Sequence, residues 1–105
     1  MLPQLLRPWA IVDMQIANNC EAELRREVAP GHPIWGLEAK ALAGRVDCDD
    51  VLFLLKTQTT AGAVVHLTWS GKIEKDTRWP TTEIYSSIEE WTEKRMKPDH
   101  EEYIA

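Results

Sequence analysis

His66, Thr68, Arg78 and Trp79 carry most of the chemistry this chain offers, and they fall in one stretch, HLTWSGKIEKDTRWP, at positions 66–80. A histidine on a sheet face binds, titrates near neutral pH or ligates a metal. A tryptophan offers a flat, rigid, apolar face with one polar handle. Trp79 precedes Pro80, which biases its backbone to an extended form, so it either caps the core or presents that face to a partner. The surrounding Lys72, Lys75 and Arg78 are offset by Glu74 and Asp76, too weak a positive balance for a phosphate-binding footprint. The expected binding residues are His66, Thr68, Arg78 and Trp79.

Other candidate constellations are weaker. DCDD, at 47–50, has closely spaced carboxylates suited to a hard cation, but it lacks the glycine and distal glutamate of an EF-hand loop. A solvated hairpin turn accounts for it. Near the C terminus, Asp99, His100, Glu101 and Glu102 are adjacent in sequence, a poor arrangement for one metal. If this tail folds back over the sheet, His100 approaches His66 and a carboxylate can orient either ring. Cys20 and Cys48 have no CxxC spacing and read as free thiols. Cys48 sits among aspartates and Cys20 on a buried helix face, so neither has the electropositive surroundings of a nucleophile. No glycine cluster forms a phosphate loop. No metal and no cofactor is expected.

The elements that must position these groups follow from periodicity. Asp13 caps a helix whose Met14, Ala17, Cys20, Leu24 and Val28 form an apolar stripe, with Glu21, Glu23, Arg25, Arg26 and Glu27 on the other side. APGHP, at 29–33, ends it. Strands are expected at 37–46, where the alanines favour helix as readily and only Gly36 and Gly44 tip the balance, at 51–56, where consecutive apolar residues suggest cover on both faces, and at 62–69. Their connections, 47–50 and 57–62, suit hairpins. Alternation along 63–69 puts Ala63, Val65, Leu67 and Trp69 on one face, toward the helices, and Val64, His66 and Thr68 on the more open one. Trp69 is therefore expected in the core. Residues 81–87 form an edge strand or an extended linker. A second helix follows, with Ser86 and Glu89 as its capping box, Ile88 and Trp91 on one face, and Pro98 closing it. Residues 1–12 read as an irregular or short helical lead-in.

The expected fold is α+β, a two-layer domain with a three- to four-stranded antiparallel meander flanked by an N-terminal and a C-terminal helix. A chain of 105 residues is one domain in size. Its net charge of −5 disfavours nucleic acid, and no apolar run is long enough to cross a bilayer. MLPQLLRPWAIVD, with prolines at 3 and 8, shows no basic start and no small-residue cleavage site, so a cytoplasmic location is expected. In size, acidity and element order, though in no motif, the chain resembles small bacterial binding proteins such as the immunity proteins of toxin systems. The function expected is that of a non-enzymatic interaction module, bound to another protein or to a second copy of itself. The alternative is a small metal- or histidine-dependent hydrolase-like enzyme using His66 and His100, which would have to lie within about 8 Å of each other.

Overall fold

A computed structural model describes residues 2–57 and 61–105. The expected hairpin connection at 57–62 lies largely outside the described residues. Five antiparallel strands form one sheet in sequence order: β1 (Trp9–Ile11), β2 (Ala39–Arg45), β3 (Asp50–Leu55), β4 (Ala61–His66) and β5 (Thr81–Tyr85). The α+β class and the meander hold, with two more strands than the central three. β1 comes from the lead-in read as irregular or short helical. Its three residues are too few to display an alternation, and it is fixed by Trp9, which is buried. Residues 81–85 resolve to a strand rather than a linker.

α1 (Met14–Glu27) starts as expected: the Asp13 side chain accepts the Ile16 N–H at 2.8 Å. The second helical region is longer than expected. α2 (Ile88–Trp91) runs into a π-helical turn (Thr92–Met96) and then α3 (Lys97–Ile104). Pro98 therefore does not close the helix. Its missing N–H falls just after the wide turn, where the Lys97 N–H reaches back to the Thr92 carbonyl and the bonding register changes. The cap is displaced by one residue. Ser87 accepts the Glu90 N–H, and Glu90 accepts the Ser86 N–H in return.

The helices lie on opposite faces of the sheet, so the domain has three layers rather than two. On one face, Cys20 and Leu24 of α1, with Val28 at its C-cap, pack with Val51, Phe53, Leu55, Ala63, Val65 and Leu67. On the other, Ile88, Trp91 and Met96 pack with Trp9, Ala43, Leu52, Val64 and Tyr85. Both faces of β3 and β4 are thus covered, which is why their sequences run apolar without alternation. Burying a side chain such as Phe53 stabilises the fold by about 1.5–3 kcal/mol. A bulge at Leu42 lets Ala41 face α1 and Ala43 face α2. Gly62 faces α2, and a Cβ there would sit in ordinary contact, 3.4 Å from Ile88 Cδ1. Where β1 ends, the Glu21 carboxylate accepts the Ala41 N–H at 2.9 Å, standing in for a strand at that edge.

Three further expectations fail on the α1 face. Met14 is 80% exposed, and the buried stripe of α1 is Cys20, Glu23, Leu24 and Glu27, with Val28 at its C-cap. Glu23 and Glu27, read as part of the solvated side, are 1% and 0% exposed. Trp69, read as core, is 44% exposed. β4 ends at His66, and the Thr68 and Trp69 N–H groups turn to the Glu27 carboxylate. Trp69 takes φ 56°, so strand parity no longer governs it. Among the described residues, no helix is long and apolar enough to cross a membrane.

Candidate functional site

The open face carrying His66 is partly roofed by the C-terminal helices, which cover Val64 and leave His66 at the rim. His66 stands directly opposite Asp50 in the β3–β4 ladder, and its Nδ1 donates to Asp50 Oδ1 at 2.7 Å. The carboxylate can only accept, so Nδ1 carries the hydrogen and Nε2 is left for a bound group. Asp50 had read only as a member of an acidic turn. Its role follows from the hairpin register, which pairs it with His66.

Asp50 is held in turn by Arg95. The Arg95 guanidinium donates to Asp50 Oδ2, to Glu83 on β5, and through Nε to Asp99 Oδ2 at 2.8 Å. Its Cζ sits 5.6 Å from the centroid of the Trp9 ring. Trp9 Nε1 donates to Asp99 at 2.9 Å, and Trp91 packs edge-on against Trp9 with centroids 5.2 Å apart. Arg45 completes the network, bonding Asp47 with two nitrogens and lying 3.3 Å from Asp99. Burial opposes the charge on Arg95, but the bonds to Asp50 and Asp99 outweigh it, and its pKa is raised. Burial likewise disfavours the Asp50 charge, yet the bonds from His66 and Arg95 win and its carboxyl is held below the usual range. Arg95 lies in the π-helical turn, an irregularity frequent at functional sites. Sequence reading passed over it, and the π turn left no local signal.

Trp79 stands across the hollow from His66. Pro80 behind it is buried, and the Trp79 N–H donates to the Asp76 carbonyl at 3.0 Å. His32 sets the position of Pro80. The Ile34 N–H donates to His32 Nδ1, so Nε2 carries the hydrogen and donates to the Pro80 carbonyl at 2.9 Å. Trp79 remains 43% exposed, neither a core cap nor a free flag. With Asp50, Val64, His66, Thr81, Thr82, Glu83 and Arg95 it lines an open hollow of about 520 Å³.

The structure brings His66 and Trp79 to one hollow. Thr68 is drawn away from that face: its hydroxyl donates to Glu74 at 2.8 Å. Arg78 lines the adjacent hollow with His32 and Pro80, sharing Thr81 and Thr82 with the first. Asp76 engages Arg78 through its backbone N–H and its guanidinium, and that pairing pulls the Asp76 pKa down to about 2. His100 donates from Nδ1 to the Arg7 carbonyl at 2.7 Å, so the two histidines have separate partners. Among the described residues, no group of three or more His, Cys, Asp or Glu is arranged to hold a metal ion.

Compared with protein-family models, curated sequences and solved structures, the chain matches none.

Both cysteines are free thiols, Cys20 buried and Cys48 exposed. Burial, reinforced by neighbouring carboxylates, pushes both pKa values up, the wrong direction for a nucleophile.

Proposed function

We propose that this chain is a non-enzymatic protein-interaction module that binds a partner's basic side chain in the hollow between His66 and Trp79. The observation that carries this reading is the division of charge around the hollow. The Arg95 cation is turned inward and saturated by Asp50, Glu83 and Asp99, with its side chain 16% exposed. The groups left facing solvent are the Trp79 ring, the Glu83 carboxylate, the His66 imidazole and the hydroxyl of Thr81. An aromatic face beside a carboxylate suits a guanidinium or ammonium group, through cation–π attraction and ion pairing. The frame is preorganised, which lowers the ordering cost of association. The acidic chain as a whole would steer a basic partner toward it.

The test is paired capture from extracts of the native host. Wild-type protein should retain a partner that Trp79→Ala releases while remaining folded by circular dichroism, and raised salt should weaken the complex. Capture unchanged by Trp79→Ala and by Arg78→Ala would refute the reading. A second reading, acid–base catalysis, is favoured by one observation: the Asp50–His66 pair leaves Nε2 available at an open hollow.

A further inference from the structure

The loop that joins His66 to Trp79 is fastened to α1 by two buried carboxyl groups. Glu27 accepts the Thr68 N–H on Oε1 at 3.0 Å and the Trp69 N–H on Oε2 at 2.8 Å. Glu23 accepts the Gly71 N–H on Oε2 at 3.0 Å, and its Oε1 takes Nε and an Nη of Arg26. The backbone adds one more tie, from the Glu74 N–H to the Glu27 carbonyl at 2.9 Å. Segment 68–74 follows the last ladder residue of β4, so these four donors replace the ladder it has left. Trp69 at φ 56° is a left-handed non-glycine residue, a conformation that persists only where its surroundings over-determine it. The two carboxyl groups do that.

Their charge does not balance. Arg26 is bonded to Glu23 alone, and Glu74, bonded to the Thr68 and Ser70 hydroxyls, adds a third carboxylate from the loop side. With one proton between them, Glu23 and Glu27 carry a single negative charge that Arg26 offsets. With none, two like charges sit side by side away from water, an arrangement that cannot hold both ionised at low cost.

We propose that Glu23 and Glu27 form a proton-sharing latch that holds segment 68–74 on α1 and releases it when the shared proton leaves to solvent. Burial first, and then Glu23, pushes the Glu27 pKa up to about 7 against the pull of the Thr68 and Trp69 N–H groups. Glu23 moves the other way: burial is outweighed by its bonds from Glu27, Gly71 and Arg26. The loop is therefore latched on the acid side of neutrality and loosened above it. The link to binding rests on the interaction reading above, since the latched segment connects the two residues that flank the hollow. Loop release is read without any partner.

The test is amide hydrogen exchange of the intact protein between about pH 5.5 and 8.5, with the intrinsic base-catalysed rate divided out. Protection of Thr68, Trp69 and Gly71 should fall at least about tenfold as pH rises through 7, while Val51–Leu55 of β3 stay protected. In Glu23→Gln the amide donates to an ionised Glu27, the like charge is gone and protection should be flat. Glu27→Gln is the second variant, and it too should lose the transition. Flat protection in the wild type, or the same fall in either variant, would overturn the latch. A flat loop with binding that still depends on Trp79 refutes the latch alone. A titrating loop without Trp79-dependent binding refutes the interaction reading alone.

Discussion

On one face of the sheet, Arg95 meets the carboxylates of Asp50, Glu83 and Asp99; on the other, Glu23 meets Glu27. Both networks bury ionisable groups and both position the route from β4 to β5, but they are satisfied differently. The Arg95 network is closed by opposite charge, which raises the Arg95 pKa and holds the Asp50 carboxyl below its usual range. The glutamate pair is closed by backbone N–H groups and one proton, so its integrity depends on pH. Opposite charges build a fixed frame for the hollow, while like charges build a hold that can be let go.

Breaking the first network should have the largest effect. Arg95→Ala leaves Asp50 and Asp99, with side chains 14% and 13% exposed, without their central cation. The expected loss is about 3–5 kcal/mol, read by urea denaturation. A loss below 1 kcal/mol would mean that the network is ornamental (about the worth of an exposed pair). Glu27→Ala comes next. It strips the acceptors from the Thr68 and Trp69 N–H groups and should cost about 1–3 kcal/mol at mildly acidic pH.

The pH response separates the two networks further. Because the folded Glu27 value lies above the ordinary value of 4.5, its stabilising contribution is complete below 4.5 and is lost as pH climbs to about 7. Asp50 behaves oppositely: its folded value is depressed, so its contribution is present above 3.8 and lost as pH falls below it. Denaturation midpoints measured from mildly acidic to neutral pH should therefore decline in the wild type, and the Glu27 part of that decline should be missing in Glu23→Gln. The smallest expected effect is that of His66→Ala. Its partly exposed pairing with Asp50 contributes about 0.2–1 kcal/mol, so the variant should stay folded and lose binding at the hollow.

The β2–β3–β4 meander, the Asp13 cap and the parity of Val65 and Leu67 were legible in the sequence because each rests on a local signal. The His66–Trp79 hollow was half legible. Both residues stood out by type, but Asp50 needed the hairpin register, and Arg95 needed a π turn that local pattern does not announce. Placing both helices on one face failed because the continuous apolar run of β3 was followed for that strand alone. Extended to Val64, Val65 and the Ile88–Trp91 face, it requires two covered faces and hence three layers.

Glu23 and Glu27 were missed although their spacing marked them. From Cys20, positions 23, 24, 27 and 28 are the buried stripe of a helix, and two of them are acidic. Weighing residue type above position sent both glutamates to the solvent side. Trp69 failed for a linked reason: alternation stops where a side chain claims the backbone donors, and the claimant was one of those glutamates.

Carboxyl carbon NMR of the wild-type protein, followed through a pH titration, reads both networks at once and tests their contrast most directly. The account predicts a Glu27 midpoint near 7 and an Asp50 midpoint below 3.8. If Glu23 and Glu27 instead titrate together near the ordinary 4.5, the pair holds no shared proton at neutral pH and the contrast between the two faces is wrong.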